Sequence, residues 1–244
     1  MPPVLALLAQ TVLLPLIWLS GLELPSPTSI ASPANDPSVP VPLRIEGEHC
    51  TVFEGIIPTT GHNISTPSSN GSHHCDGTNN KAHNVSGPTA TTALADAVEK
   101  ESLLFDAVFD TKFDDFFITR VGDGVNTSTQ NWRLYVDFVA SNVGGCQEQV
   151  SANRQVLWAL QRSDVHTLLH LEGPHTASHG VPVVLTVTNG STRNPISGAS
   201  VSNLFQPTNA SGQVTVTFEE KRSVTLKATK EGTVRSNALT ILVT

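Results

Sequence analysis

FDAVFDTKFDDFFITRVGDGVNTSTQNWRLYVDFVASNVGGCQEQVSANRQVLW, residues 105–158, is the stretch that decides the fold. Aromatic residues are scarce in this chain, yet most of those beyond the first 20 positions fall here: Phe105, Phe109, Phe113, Phe116, Phe117, Trp132, Tyr135, Phe138 and Trp158. Aromatic side chains bury the most area per residue, so the main core is expected in this window. FDAVF (105–109) and FFITRV (116–121) alternate, and the Asp-rich residues 110–115 suit a hairpin turn between them. Phe105, Phe109 and Phe113 also fit a helical spacing of four. Strands are preferred because Phe, Val, Ile and Thr dominate. WRLYVDFV (132–139) is the strongest strand pattern. It places Trp132, Leu134, Val136 and Phe138 on one face and Arg133, Tyr135 and Asp137 on the other. Gly144-Gly145 turns the chain, and 155–160 and 165–171 read as further strands.

Upstream, residues 91–104 (TTALADAVEKESLL) carry the one clear helical pattern, with Thr91 or Thr92 as cap and Glu99, Lys100 and Glu101 facing water. Residues 43–47 and 51–55 read as short strands ending at glycines. Residues 56–88 are polar, rich in Ser, Asn, Gly and His, and read as a long surface loop. One helix crossing a mixed sheet of five or more strands outlines a small α+β domain such as a β-grasp, over residues 43–172. From Gly173-Pro174 the texture changes. Short β runs at 181–187, 200–205, 214–218, 223–228 and 238–243 are separated by turn pairs such as Asn189-Gly190 and Ser211-Gly212. Residues 173–244 therefore read as an all-β, immunoglobulin-like sandwich, without the cysteine pair and core Trp of a true immunoglobulin domain.

The first 42 residues place the protein. Residues 4–18 (VLALLAQTVLLPLIW) are apolar but short and broken by Pro15, which suits a signal peptide over 1–21 better than a membrane span of ~20 residues. Residues 22–42 are Pro/Ser-rich and read as a linker. No stable membrane span is expected in the mature chain. Six Asn-x-Ser/Thr sequons follow, at Asn63, Asn70, Asn84, Asn126, Asn189 and Asn209, as glycosylation candidates for a secreted or cell-wall-associated, extracellular protein. Of the three cysteines, Cys75 and Cys146 are the favoured disulfide, because that bond would tie the polar loop to the core; pairs through Cys50 stay open. With charged residues at only 14% and a net charge of −7, no basic surface for nucleic acid is expected.

TVFEG with GHN, HHCDGTN, FDDFFITRVGD, the Trp132 strand, VGGCQ with Gln149-Val150, and VLWA resemble fungal secreted proteins carrying a transcobalamin-like C-terminal domain. VPVVLTVTNGSTRNPISGASV and LKAT with VRSNALTILV resemble the β-sandwich that follows it there. The resemblance implies a β-grasp-like domain, no settled activity, and surface or adhesion roles; in transcobalamin the related domain helps enclose a corrinoid. A family cysteine near the helix start is replaced here by Thr89-Ala90-Thr91, which leaves the partner of Cys75 open, and residues 161–170 diverge.

No catalytic set emerges. There is no G-x-S-x-G elbow and no phosphate-binding glycine loop. Glu46, Glu48 and Glu54 fall on what read as edge strands. His73-His74-Cys75-Asp76 with His62 and His83 is the best metal cluster, outweighed by a disulfide-anchored polar loop. Asp106, Asp110, Asp114, Asp115 and Asp123 miss the calcium-loop spacing and read as turn and edge residues. His166 and His170 read as solvent-facing strand histidines. The expected function is non-catalytic binding or adhesion to a cell-wall or surface glycan or protein, without a cofactor. The alternative is a carrier of a small apolar or corrinoid-like ligand on a face made by Trp132, Tyr135 and Trp158.

Overall fold

A computed structural model describes residues 38–244 except Asn203. The expected leader (1–21) and the first part of the linker (22–37) lie outside the described residues. Asp36–Thr244 forms one unit, mostly β, with several sheets and a single α-helix among the described residues.

The first part of the chain gives β1 (Val39–Glu46), β2 (Thr51–Thr59), β3 (His62–Ser65), β4 (Ser72–Cys75) and α1 (Ala90–Lys100). There follow β5 (Phe105–Asp110), β6 (Asp115–Val121), β7 (Gly124–Val125), β8 (Gln130–Val136), β9 (Val139–Ala140) and β10 (Val156–Arg162). Five of these form a mixed sheet in the order β2-β1-β10-β8-β9, with β1 and β10 parallel. Its alternation separates two faces. Val41, Leu43, Ile45, Trp132, Leu134, Val136, Trp158 and Leu160 pack beneath α1, which contributes Leu94, Ala97 and Val98. Each such buried aliphatic side chain stabilises by about 1.5–3 kcal/mol. The β5-β6-β7 sheet and the β3-β4 hairpin flank this core.

The rest of the chain gives β11 (Thr167–Glu172), β12 (Thr176–Ala177), β13 (Val183–Asn189), β14 (Ser200–Val201) and β15 (Gln213–Val216). It ends with β16 (Ser223–Leu226), β17 (Ala228–Thr229), β18 (Thr233–Val234) and β19 (Leu239–Val243). A β15-β13-β11-β18 sheet and a β12-β19-β16 sheet bury Leu169, Leu171, Leu185, Val187, Val214, Leu239 and Ile241 between them. The opposite side of β11, through Leu168, meets Tyr135, Leu157, Ala159 and Val234, and so covers the second face of the five-stranded sheet.

Several expectations change. The linker does not reach residue 42: β1 starts at Val39, and Val41 is buried in the core. Residues 39–42 pair only with β2, so the missing N–H groups of Pro40 and Pro42 face an unpaired edge, which is where a strand tolerates proline. Residues 56–88 are not one loop, because β2 runs to Thr59 and β3-β4 forms a hairpin. The helix is shorter than 91–104 and its cap is Thr89. The Thr89 hydroxyl accepts from Thr92 N at 3.1 Å, and Thr92 Oγ1 accepts from Thr89 N at 2.9 Å. β11, which ends at Glu172 beside the expected boundary at 172/173, pairs with β13 and β18 and not with the five-stranded sheet.

Candidate functional site

Trp132, Tyr135 and Trp158 do not make a ligand face. Trp132 and Trp158 are buried under α1, where Trp158 Nε1 donates to Ala90 O at 3.1 Å and Trp132 Nε1 to Gly124 O at 3.3 Å. Tyr135 is buried on the opposite side of the sheet, its hydroxyl accepting from Gln161 Nε2 at 2.7 Å. Alternation separates them: Leu134, not Tyr135, lies opposite Trp158. Phe138 also leaves the face expected for it. Asp137 and Phe138 have φ of 50° and 64°, so the chain turns there between β8 and β9, and Phe138 joins the Tyr135 side.

The histidines diverge as well. His73 and His74 leave β4 on opposite sides. His73 stacks on Phe109 at 3.7 Å between centroids, and its Nε2 lies 2.8 Å from Ser69 O. His74 turns to Asp114 at 3.3 Å and His62 to Asp96 at 3.1 Å. The Asp96 hydrogen bond raises the His62 pKa above its ordinary value, against a smaller opposing effect of burial. Among the described residues no three His, Cys, Asp or Glu groups converge as a metal site. Cys75 is bonded to Cys146, and its Sγ lies 3.2 Å from Thr89 Oγ1, beside the helix start. Cys50 is free and exposed. Asp115 is not a solvated turn residue. It is buried, takes hydrogen bonds from Cys146 N, Phe116 N and Gln147 Nε2, and burial raises its pKa. His166 precedes β11, and His170 is half-buried edge-on to Phe138, accepting at Nδ1 from Arg193 at 2.7 Å.

Of the sequon asparagines, Asn63, Asn70, Asn84 and Asn209 are exposed. Asn189 is half-buried. Asn126 is half-buried too, and held at both ends: its Nδ2 donates to Ile118 O and its Oδ1 accepts from Trp132 N.

Two features stand out once the fold is known. The first is the outer side of the β5-β6 hairpin. Val108 and Phe117 are cross-strand partners and both face solvent, and Phe113 is exposed in the connecting turn. Phe113 and Phe117 are 56% and 55% exposed, unusually high for large aromatic side chains.

The second is a charge cluster between the five-stranded sheet and the strands that follow it. Glu46 sits on β1, an inner strand rather than an edge, and is 1% exposed. It takes hydrogen bonds from Lys227 Nζ at 2.6 Å, Arg235 Nε at 2.8 Å and the Thr51 hydroxyl. Lys227 also reaches Glu54 at 2.8 Å and Thr51, using all three of its N–H groups. Arg235 donates further to the carbonyls of Gly47, Glu48 and Cys50. Arg44, 6% exposed, is the exception: its one hydrogen bond among the described residues goes to Arg235 O at 2.9 Å, and its Nε is 3.9 Å from Glu46. Burial lowers the Arg44 pKa, with Glu46 and Glu54 opposing that effect. The group stays a cation all the same.

Arg44 lines a cleft of about 300 Å³. On the same sheet face as Arg44, Pro42, Ile56 and Leu157 wall it, and Phe138 closes one side with its ring 5.9 Å from the guanidinium carbon. A wider groove of about 1190 Å³ runs past Glu46 and Arg235 and is lined by Arg162, Lys230 and Glu231.

No protein-family model matches the chain, and no curated protein matches it at a significant level.

Proposed function

We propose that this is a secreted or cell-wall-associated glycoprotein that binds a surface glycan or protein and catalyses no reaction. The observation that carries the reading is the hairpin face of Val108, Phe113 and Phe117, which is apolar, aromatic and turned to solvent. Aromatic rings on a rigid hairpin offer area for sugar faces or apolar side chains at little entropic cost. The Cys75–Cys146 disulfide and the four exposed sequon asparagines are compatible with an oxidising, glycosylating compartment. No helix among the described residues is long and apolar enough to cross a membrane.

At finer grain, we read β1–β10 with α1 as a β-grasp-like domain of transcobalamin-like type and β11–β19 as an immunoglobulin-like sandwich. The helix lying across a mixed sheet supports the first, and the two facing sheets support the second. The carrier reading loses the aromatic face on which it rested, because those three side chains are buried on two sides of one sheet. The test is depletion of the purified glycoprotein from solution by isolated cell walls and by immobilised wall polysaccharides. Saturable depletion is expected on at least one of them, and absence of retention on all of them would overturn the reading.

A further inference from the structure

The charge cluster is unbalanced. Three cations, Arg44, Lys227 and Arg235, face two carboxylates, Glu46 and Glu54. The carboxylates are already taken. Both oxygens of Glu46 are bonded to Thr51, Lys227 and Arg235, while Glu54 accepts from Lys227 and from Ala238 N at 2.7 Å. The surplus positive charge falls on Arg44, which uses one of its five N–H donors among the described residues. A buried guanidinium so sparsely paired is costly unless something else meets it. It lines a cleft together with apolar Pro42, Ile56, Leu157 and Phe138 and with Asn237 and Glu54, its cross-strand neighbour, whose carboxylate is held by Lys227 and Ala238 N. The side chain of Gln155, exposed at the rim, makes no hydrogen bond among the described residues. The volume, about 300 Å³, is at the lower end of small-molecule sites.

From these observations we infer that the cleft over Arg44 is a binding site for a small monocarboxylate with a short apolar body. The carboxylate completes the charge of the cluster through the free N–H groups of Arg44. The apolar part lies against Ile56, Leu157 and Phe138. This goes beyond surface binding by the β5-β6 hairpin and does not depend on it.

Isothermal titration of the full secreted protein with hexanoate, benzoate and acetate, and with the neutral hexanamide, tests the inference. Hexanoate or benzoate is expected to bind about tenfold or more tightly than hexanamide, because the charge-assisted bond to Arg44 is lost with the amide. Arg44→Met abolishes the preference for the acid. The unliganded variant keeps a melting temperature at least equal to wild type, because it removes an under-paired buried charge. Ile56→Glu, at a 63% exposed position that disturbs no core, places a like charge at the mouth and weakens carboxylate binding. The inference is overturned by amide binding equal to acid binding, by absence of binding of all three acids at about tenfold above ordinary weak-ligand concentrations of ~1 mM, or by unchanged acid binding in both variants. Hexanoate binding leaves retention on cell walls unaffected, so the two proposals fail separately.

Discussion

Single residues carry the electrostatics of this protein. Glu46 neutralises Lys227 and Arg235 at a position 1% exposed. Glu46→Ala leaves buried Arg44 and half-buried Arg235 without their nearest carboxylate, while Lys227 keeps Glu54, and the expected loss is about 3–5 kcal/mol of stability, measured by denaturant unfolding. This cluster was not legible in the sequence. Alternation within Leu43-Arg44-Ile45-Glu46 puts Arg44 and Glu46 on one face, but their partners lie as far as 191 residues away and no local pattern points to them. His62 gives a pH signature. Its folded pKa is raised by Asp96, so the pair contributes most below the unfolded pKa of about 6.5 and less as pH rises through the folded value. The difference in melting temperature between wild type and His62→Gln is expected to be largest near pH 5.5–6 and to shrink towards about pH 8. A difference that grows with pH would contradict the assignment.

At the scale of elements, the hairpin and the central strand were legible because period-2 alternation runs through 116–121 and 132–136, and through 105–110 apart from one register shift between Asp106 and Ala107. The pattern misled at Phe138. The turn there uses Asp137 and Phe138 at positive φ instead of the usual Asn-Gly, so nothing marked the end of the strand. Gly190 makes that turn possible from outside: a Cβ on it would come within 2.1 Å of the Phe138 ring. Residues 39–42 were hidden by their prolines, and β3-β4 by its His, Ser and Asn content, which lacks an apolar face. The helix start was shifted because Thr89, Thr91 and Thr92 are all plausible caps by type; only the backbone selects Thr89. Thr89→Ala is expected to cost about 1–2 kcal/mol in thermal or chemical unfolding, through loss of the cap and the bond it returns. Phe117→Ser, by contrast, is expected to change stability by no more than about 0.5 kcal/mol, because the ring touches mainly water.

Across the whole molecule, the sheet that carries α1 on one face is covered on the other by β11 and β18, and the charge cluster spans the same junction. Composition showed the change of texture near residue 173 but not that β11 belongs to the later sheets, since a Leu-rich strand fits either side. The Cys75–Cys146 bond closes 71 residues around α1 and the β5-β6 hairpin, so its reduction is expected to cost about 4 kcal/mol by loop-closure entropy. The functional claim rests on one exposed face. Its most direct test is a binding isotherm on isolated cell walls for wild type and the Phe113→Ser/Phe117→Ser double variant. Saturable wild-type binding with about tenfold or greater weakening in the double variant, at unchanged stability, is the predicted result. Equal binding by the two proteins would contradict it.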